Sequence, residues 1–355
     1  ETVEETIHQY GRLVVISADG EPSVVANVDF DIDEVYKSAA PERLKMDARS
    51  KATSFLAGLN RVVADSEEVD YLKSIQLCAR SLSSLKGYDN KLMIVVGTGL
   101  STCGNLDFRN NLLLADPEAI ANALEAQGEI PSLENISVYW QQLADTAPPQ
   151  ANMSGQQRQA LQDIWRAIIE RGGGTVTFDE MIYKPVPADL VFPQVSVVDL
   201  PAVPIINFDH LGAQQLKTEG SVLFGEPFII PEEQVRFVGD SAQYVDEEAV
   251  KLVLAPIAQA LIEHPAVTVL LCGCIAGDGV QSPSGLELSR QRAEMVKLTL
   301  MELGVSETQL IVKALGTDNP WHIKGVGYTG ELAAQNRRVV LLNVETPLGQ
   351  QLNER

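Results

Sequence analysis

Two nearly continuous apolar runs, Leu92-Met93-Ile94-Val95-Val96 and Val267 to Cys272, each lie between stretches of helical periodicity. A strand without polar alternation is buried on both faces, as in a parallel sheet covered by helices. Strand and helix signals alternate around both runs, so the 355-residue chain is predicted to be α/β, in two domains of ordinary size.

In the first half, Leu13-Val14-Val15-Ile16 reads as a strand closed by an Asp19-Gly20 turn. Asp47 to Leu85 is helical in character, with Val69, Leu72, Ile75, Ala79 and Leu82 on one face and Asp70 inside it. Asp116-Pro117 opens a helix with a capping Asp, and Ile136 to Trp140 is a strand. Ser154 caps a helix carrying Leu161, Ile164, Trp165 and Ile168, which Gly172-Gly173-Gly174 ends before the strand Thr175 to Phe178. The prolines between Tyr183 and Pro204 predict an extended edge strand and linker. In the second half, Val235 to Val238, Val267 to Cys272, Leu310 to Ala314 and Arg338 to Asn343 read as strands. Glu247 to Ile262 and Ser289 to Leu303 read as helices, the former kinked or broken at Pro256. The expected layout is a domain over 1–200, a linker over 201–230, a domain over 231–345 and a tail over 346–355.

A net charge of -21 argues against nucleic acid and against docking on anionic lipid, both of which need clustered Lys and Arg. No stretch reaches the roughly 18 to 20 apolar residues of a membrane helix. The opening Glu1-Thr2-Val3-Glu4-Glu5 has no basic n-region and no initiator Met, and reads as a chain from which a signal or anchor has been removed. Cys78, Cys103, Cys272 and Cys274 form no CxxC, and the histidines are scattered, so no metal or cofactor site is expected. Cys272 and Cys274 share one strand face and read as small buried hydrophobes. A pairing of Cys78 with Cys103 stays open.

The loop Gly97-Thr98-Gly99-Leu100-Ser101-Thr102-Cys103-Gly104 follows a buried strand, where α/β sheets bind ligands. It has neither the dinucleotide nor the P-loop pattern. Ser101 as a nucleophile needs a base, and no His is near in sequence. Trp140 and Trp165 sit in apolar patterns and read as core. The alternation is loosely similar to von Willebrand A-like, Rossmann-like three-layer domains. Their metal-holding Asp-x-Ser-x-Ser falls here on Gly97, Gly99 and Ser101, without the carboxylate.

The second half carries a more specific set. In order it has Val235-x-Phe237 with Ser241-Ala242, then Gly273 ending a strand. Leu288-Ser289-x-x-Arg292-Ala293-x-x-Val296-x-x-x-Leu300 follows, and then Gly304-Val305. Leu315-Gly316 with Pro320, and Asn336-Arg337-Arg338-Val339, complete it. Each piece alone is weak, but together, over about 110 residues, they resemble the OmpA-like peptidoglycan-associating domain.

The resemblance implies an α+β sandwich that binds a peptidoglycan stem peptide without covalent chemistry. In the family an Asp and the Arg of the signature helix grip the charged ends of diaminopimelate. The Arg falls on Arg292, but the Asp falls on Ala276, and the signature Asn on Gly285. With Ser289 as N-cap, Arg292 lies in the first turn, where backbone N–H groups and a planar guanidinium together suit a carboxylate. Asp278, two residues past the lost Asp, is a candidate for a ligand amine, or a turn residue in Gly277-Asp278-Gly279. Asn336 and Arg337 are candidates for ligand contact, or Asn336 for pinning a loop. The expected protein is a non-enzymatic, extracytoplasmic component of the bacterial cell envelope, anchored through a segment absent from this chain. Its partners would be peptidoglycan and, through the first domain, another envelope protein. The rivals are a degenerate OmpA-like domain serving as an interaction scaffold, and a hydrolase with its site at the Gly97–Gly104 loop.

Overall fold

The structure is a computed structural model and describes residues 6, 11–30, 41–59, 66–85, 87–88, 90–179, 195–200 and 223–355. The chain divides into two compact units, residues 1–109 with 120–199, and residues 110–119 with 200–355. Most of the Pro-rich segment read as edge strand and linker lies outside the described residues.

In the first unit, β1 (Arg12–Ile16) and β2 (Val24–Asp29) pair antiparallel as a sheet of their own. Between them Asp19 Oδ1 accepts a bond from Glu21 N at 3.1 Å, the turn expected there. The single helix expected over Asp47 to Leu85 is two, α1 (Pro41–Leu59) and α2 (Tyr71–Ser84). Asp70 causes the second start: its Oδ1 accepts from Lys73 N at 2.9 Å, as an N-cap does. The remaining elements are β3 (Lys91–Val96), α3 (Pro117–Ala126), β4 (Ile136–Gln141), α4 (Gly155–Arg171) and β5 (Thr175–Phe178). Ser154 and Gln157 form a reciprocal capping box at α4.

β3, β4 and β5 make a parallel sheet in that order. Met93, Val138 and Trp140 are buried on one face, as are Ile164, Trp165 and Ile168 of α4, and the two Trp rings lie 4.7 Å apart. The alternate residues Leu92, Ile94 and Val96 remain 50%, 38% and 57% exposed. The apolar run Leu92–Val96 is therefore not buried on both faces, and the three-layer expectation is not met among the described residues.

The second unit contains β6 (Phe228–Pro231), α5 (Glu247–Glu263), β7 (Val269–Cys274), α6 (Pro283–Glu302), β8 (Leu310–Gly316), α7 (Glu331–Ala334), β9 (Arg338–Asn343) and α8 (Pro347–Glu354). Its mixed sheet runs β6-β9-β7-β8, with β7 and β8 parallel and β9 antiparallel to both neighbours. One apolar cluster joins Leu254 and Leu261 of α5, Val296 and Leu300 of α6, and Val269, Leu271 and Leu341 of the sheet. A second joins Leu270, Cys272, Cys274, Val340 and Leu342 to Trp321, Leu352 and Leu114. Each fully buried Leu or Val contributes about 1.5–3 kcal/mol.

Four expectations change here. The first strand is Phe228–Pro231, while Val235 to Val238 makes only an isolated bridge, Phe237 to Tyr244. Leu223, Phe224 and β6, expected in a linker, are buried in the core. The tail is a helix capped by Thr346, with Leu352 in the second cluster. Finally, α5 runs through Pro256 unbroken: the carbonyl that Pro leaves without a donor belongs to Leu252, which is 78% exposed and open to water.

Candidate functional site

The signature helix is positioned by contact between glycine and backbone. A Cβ on Gly273 of β7 would collide with the Ser289 carbonyl, so the bare glycine lets α6 lie against the strand. The helix starts earlier than expected. Ser282 is its N-cap, accepting from Gly285 N at 3.0 Å, and Pro283 is its first residue. Ser289 lies well inside α6, wholly buried, donating to Leu286 O at 2.7 Å and accepting from Gly316 N at 3.2 Å. Arg292 is thus mid-helix, and the argument from the helix N-terminus does not apply to it.

Arg292 is buried. Its Nε donates to Ser241 O at 3.0 Å, and its guanidinium lies 5.1 Å from the centre of the Phe237 ring. Arg337 is half-buried, its Nε donating to Glu232 at 2.6 Å and its Nη1 to Tyr328 O at 3.1 Å. Asn336 is buried, and both ends of its amide bond the backbone of Ile323 at 2.8 Å. That geometry pins a loop. Asp278 is exposed, whereas Ala276, at the family's Asp position, is buried. Arg292 and Arg337 meet in one cleft, lined also by Glu232, Val235, Phe237, Cys274, Arg338 and Val339. Ser289, Asp278 and Asn336 do not line it.

Arg338 is the residue that sequence reasoning passed over. It is 6% exposed, and its Nη2 donates to Trp321 O at 3.0 Å and Asn336 Oδ1 at 3.2 Å. Its Nε is buried without a partner. Burial pushes its pKa down to about 10, which leaves it charged at neutral pH. A signal was present: Arg338 shares a strand face with Val340 and Leu342, so it is a charge in an apolar row. The cleft holds the guanidiniums of Arg292 and Arg337 and the carboxylate of Glu232 around a hollow of about 10 Å³, room for one water, while the Arg338 guanidinium turns to Trp321 O and Asn336 Oδ1.

The glycine loop of the first unit is packed shut. Trp140 Nε1 donates to Gly97 O at 2.9 Å, and Trp165 Nε1 to Gly99 O at 3.0 Å. Ser101 is wholly buried, and its Oγ accepts from Tyr71 N at 3.1 Å. A serine bonded to a backbone amide and closed to solvent is no nucleophile, so the hydrolase reading of this loop falls. All four cysteines are free, and burial raises the Cys274 thiol to about 12. Among the described residues no group of His, Cys, Asp or Glu could hold a metal ion, and no helix is long and apolar enough to cross a membrane.

No protein-family model matches the chain, and no curated protein does. Among solved structures it is similar to the peptidoglycan-associated lipoprotein from Burkholderia pseudomallei, at 32% identity over 31% of this chain and 87% of that one, TM-score 0.26. It is also similar to the cell wall anchor of the T6SS from Pseudomonas aeruginosa, at 25% identity over 32% and 78%, TM-score 0.27. A third is the OmpA-like domain of FopA1 from Francisella tularensis, at 19% identity over 32% and 69%, TM-score 0.25. Each of these likenesses spans about a third of this chain.

Proposed function

We propose that this is a non-enzymatic, extracytoplasmic protein of the bacterial cell envelope whose second unit docks on peptidoglycan by holding a stem-peptide carboxylate at Arg292 and Arg337. The observation that carries this is the charge imbalance of the cleft. Arg337 pairs with Glu232, but Arg292, which is buried, makes no ion pair with a carboxylate among the described residues. An unpaired buried charge is destabilising, and a site that meets an anionic ligand gives it a use. Guanidinium forks suit carboxylates in particular. With Ala276 where the family has Asp, recognition rests on the carboxylate rather than on an adjacent amine. The first unit would supply a surface for another envelope protein.

The test is co-sedimentation of the protein with insoluble sacculi of diaminopimelate and lysine types, beside Arg292→Ala. Binding should fall tenfold or more in the variant, about the 1.5–3 kcal/mol of a charged hydrogen bond. If neither sacculus retains the wild-type chain, the wall reading is wrong. Ala276 and the exposed Asp278 favour the second reading, an interaction scaffold. Recovery of a protein partner by cross-linking, with no affinity for sacculi, would establish it.

A further inference from the structure

Glu232 is the single acid lining the arginine cleft. It stands in the turn directly after β6, and its Oε2 accepts from Arg337 Nε at 2.6 Å, across 105 residues of sequence. The space beside it holds about one water, so no ligand carboxylate enters while Glu232 stays. Its side chain is 23% exposed, which gives it a route to solvent. Arg337 keeps a second acceptor, Tyr328 O at 3.1 Å, when Glu232 leaves. Arg292 donates to Ser241 O rather than to Glu232, whose charge acts on it without a hydrogen bond. The chain's own carboxylate is therefore hydrogen-bonded to one of the two cleft arginines.

We propose that Glu232 is a built-in competitor: its carboxylate holds the arginine cleft closed, and a peptide carboxylate of the same size and charge displaces it. This rests on the carboxylate-binding reading of the cleft and adds its regulation. An incoming group that bonds Arg292 as well as Arg337 gains a contact that Glu232 does not make, and this difference drives the exchange. The occupant has the chemistry of a peptide C-terminus or a side-chain carboxylate, and a neutral amide does not replace it.

The experiment uses the full chain and Glu232→Gln, which keeps the shape of the side chain and removes its charge. The probes are N-acetyl-D-alanyl-D-alanine, its C-terminal amide and sacculi. Calorimetry should show Glu232→Gln binding the free acid about fivefold more tightly than wild type, the factor set by an ion pair that keeps most molecules closed. The amide should bind neither protein, and adding Arg337→Gln to Glu232→Gln should erase the gain. Matching circular dichroism and melting curves would show that both variants fold. Equal or weaker binding of the acid by a folded Glu232→Gln overturns the competitor role. If sacculus binding still depends on Arg292, the wall reading survives that result. Tighter binding of the acid without any affinity for sacculi keeps the competitor and removes the wall. Binding of neither acid nor sacculi by either protein overturns both.

Discussion

The glycine loop after β3 and the arginine cleft beside α6 both follow strands where ligands could be expected, yet they are opposites in physical terms. In the loop every feature is satisfied: indole N–H groups meet the carbonyls of Gly97 and Gly99, and Ser101 meets a backbone amide. In the wall of the cleft the Nε of Arg338 is buried with no partner, and inside it one acid stands between the guanidiniums of Arg292 and Arg337. A glycine-rich loop is therefore a poor guide to function when aromatic rings fill it. An unsatisfied buried charge is a better one, since folding alone gives no reason to retain it.

The largest effect should come from putting a side chain into the loop. Gly99 has φ +79°, and a Cβ there would collide with Leu143 and lie 3.1 Å from Trp165 Nε1. Gly99→Ala should lower stability by about 3 kcal/mol in urea unfolding, from backbone strain and overpacking together. A loss near zero would mean that the loop has room, and the contrast with the cleft would weaken.

A smaller change is expected at Arg338, and of unusual sign for a core position. Arg338→Met removes a desolvated charge and forfeits two hydrogen bonds, so stability should stay within about 1 kcal/mol of wild type. Carboxylate binding should persist in the same variant, because the Arg338 guanidinium bonds Trp321 O and Asn336 Oδ1 rather than facing Arg292 and Arg337. A large loss of stability would show Arg338 to be structural.

The smallest effect concerns pH. His322 is buried, its Nε2 lies 3.0 Å from Gly277 O, its Nδ1 has no partner, and burial pulls its pKa below the ordinary 6.5. The folded chain thus keeps it neutral, and the unfolded chain takes up a proton first as pH falls through 6.5. Arg338 and Lys324 add to this by repelling the cation. Stability should fall by under about 1 kcal/mol between about pH 7 and pH 5 from this group, and His322→Gln should flatten that slope. An unchanged slope in urea titrations at the two pH values would exclude His322 as its source.

Much of the fold could be read from residue order. The Ser154 cap, the Asp116-Pro117 helix start and strand β9 all appear where local chemistry placed them. The start of α6 was also written in the chain, as Ser282-Pro283, but the resemblance drew attention to Ser289 instead. β6 was hidden because four residues between Pro227 and the turn at Glu232 are too few to show a period. Nothing in sequence indicated that Leu114 would join the cluster of Trp321 and Leu352, because contacts between distant residues leave no local pattern.

The same division holds at the site. Sequence alone determined that Arg292, Arg337 and Arg338 stand at fixed positions on a helix and at the start of a strand, since spacing and periodicity are local properties. It also determined that Ala276 cannot supply the family's acid. The tertiary structure decided that Arg338 is buried without a carboxylate while Glu232 reaches Arg337 from 105 residues away. Burial and pairing depend on which surfaces meet when the sheet β6-β9-β7-β8 closes against α6, and that meeting is a property of the packed chain rather than of any segment in it.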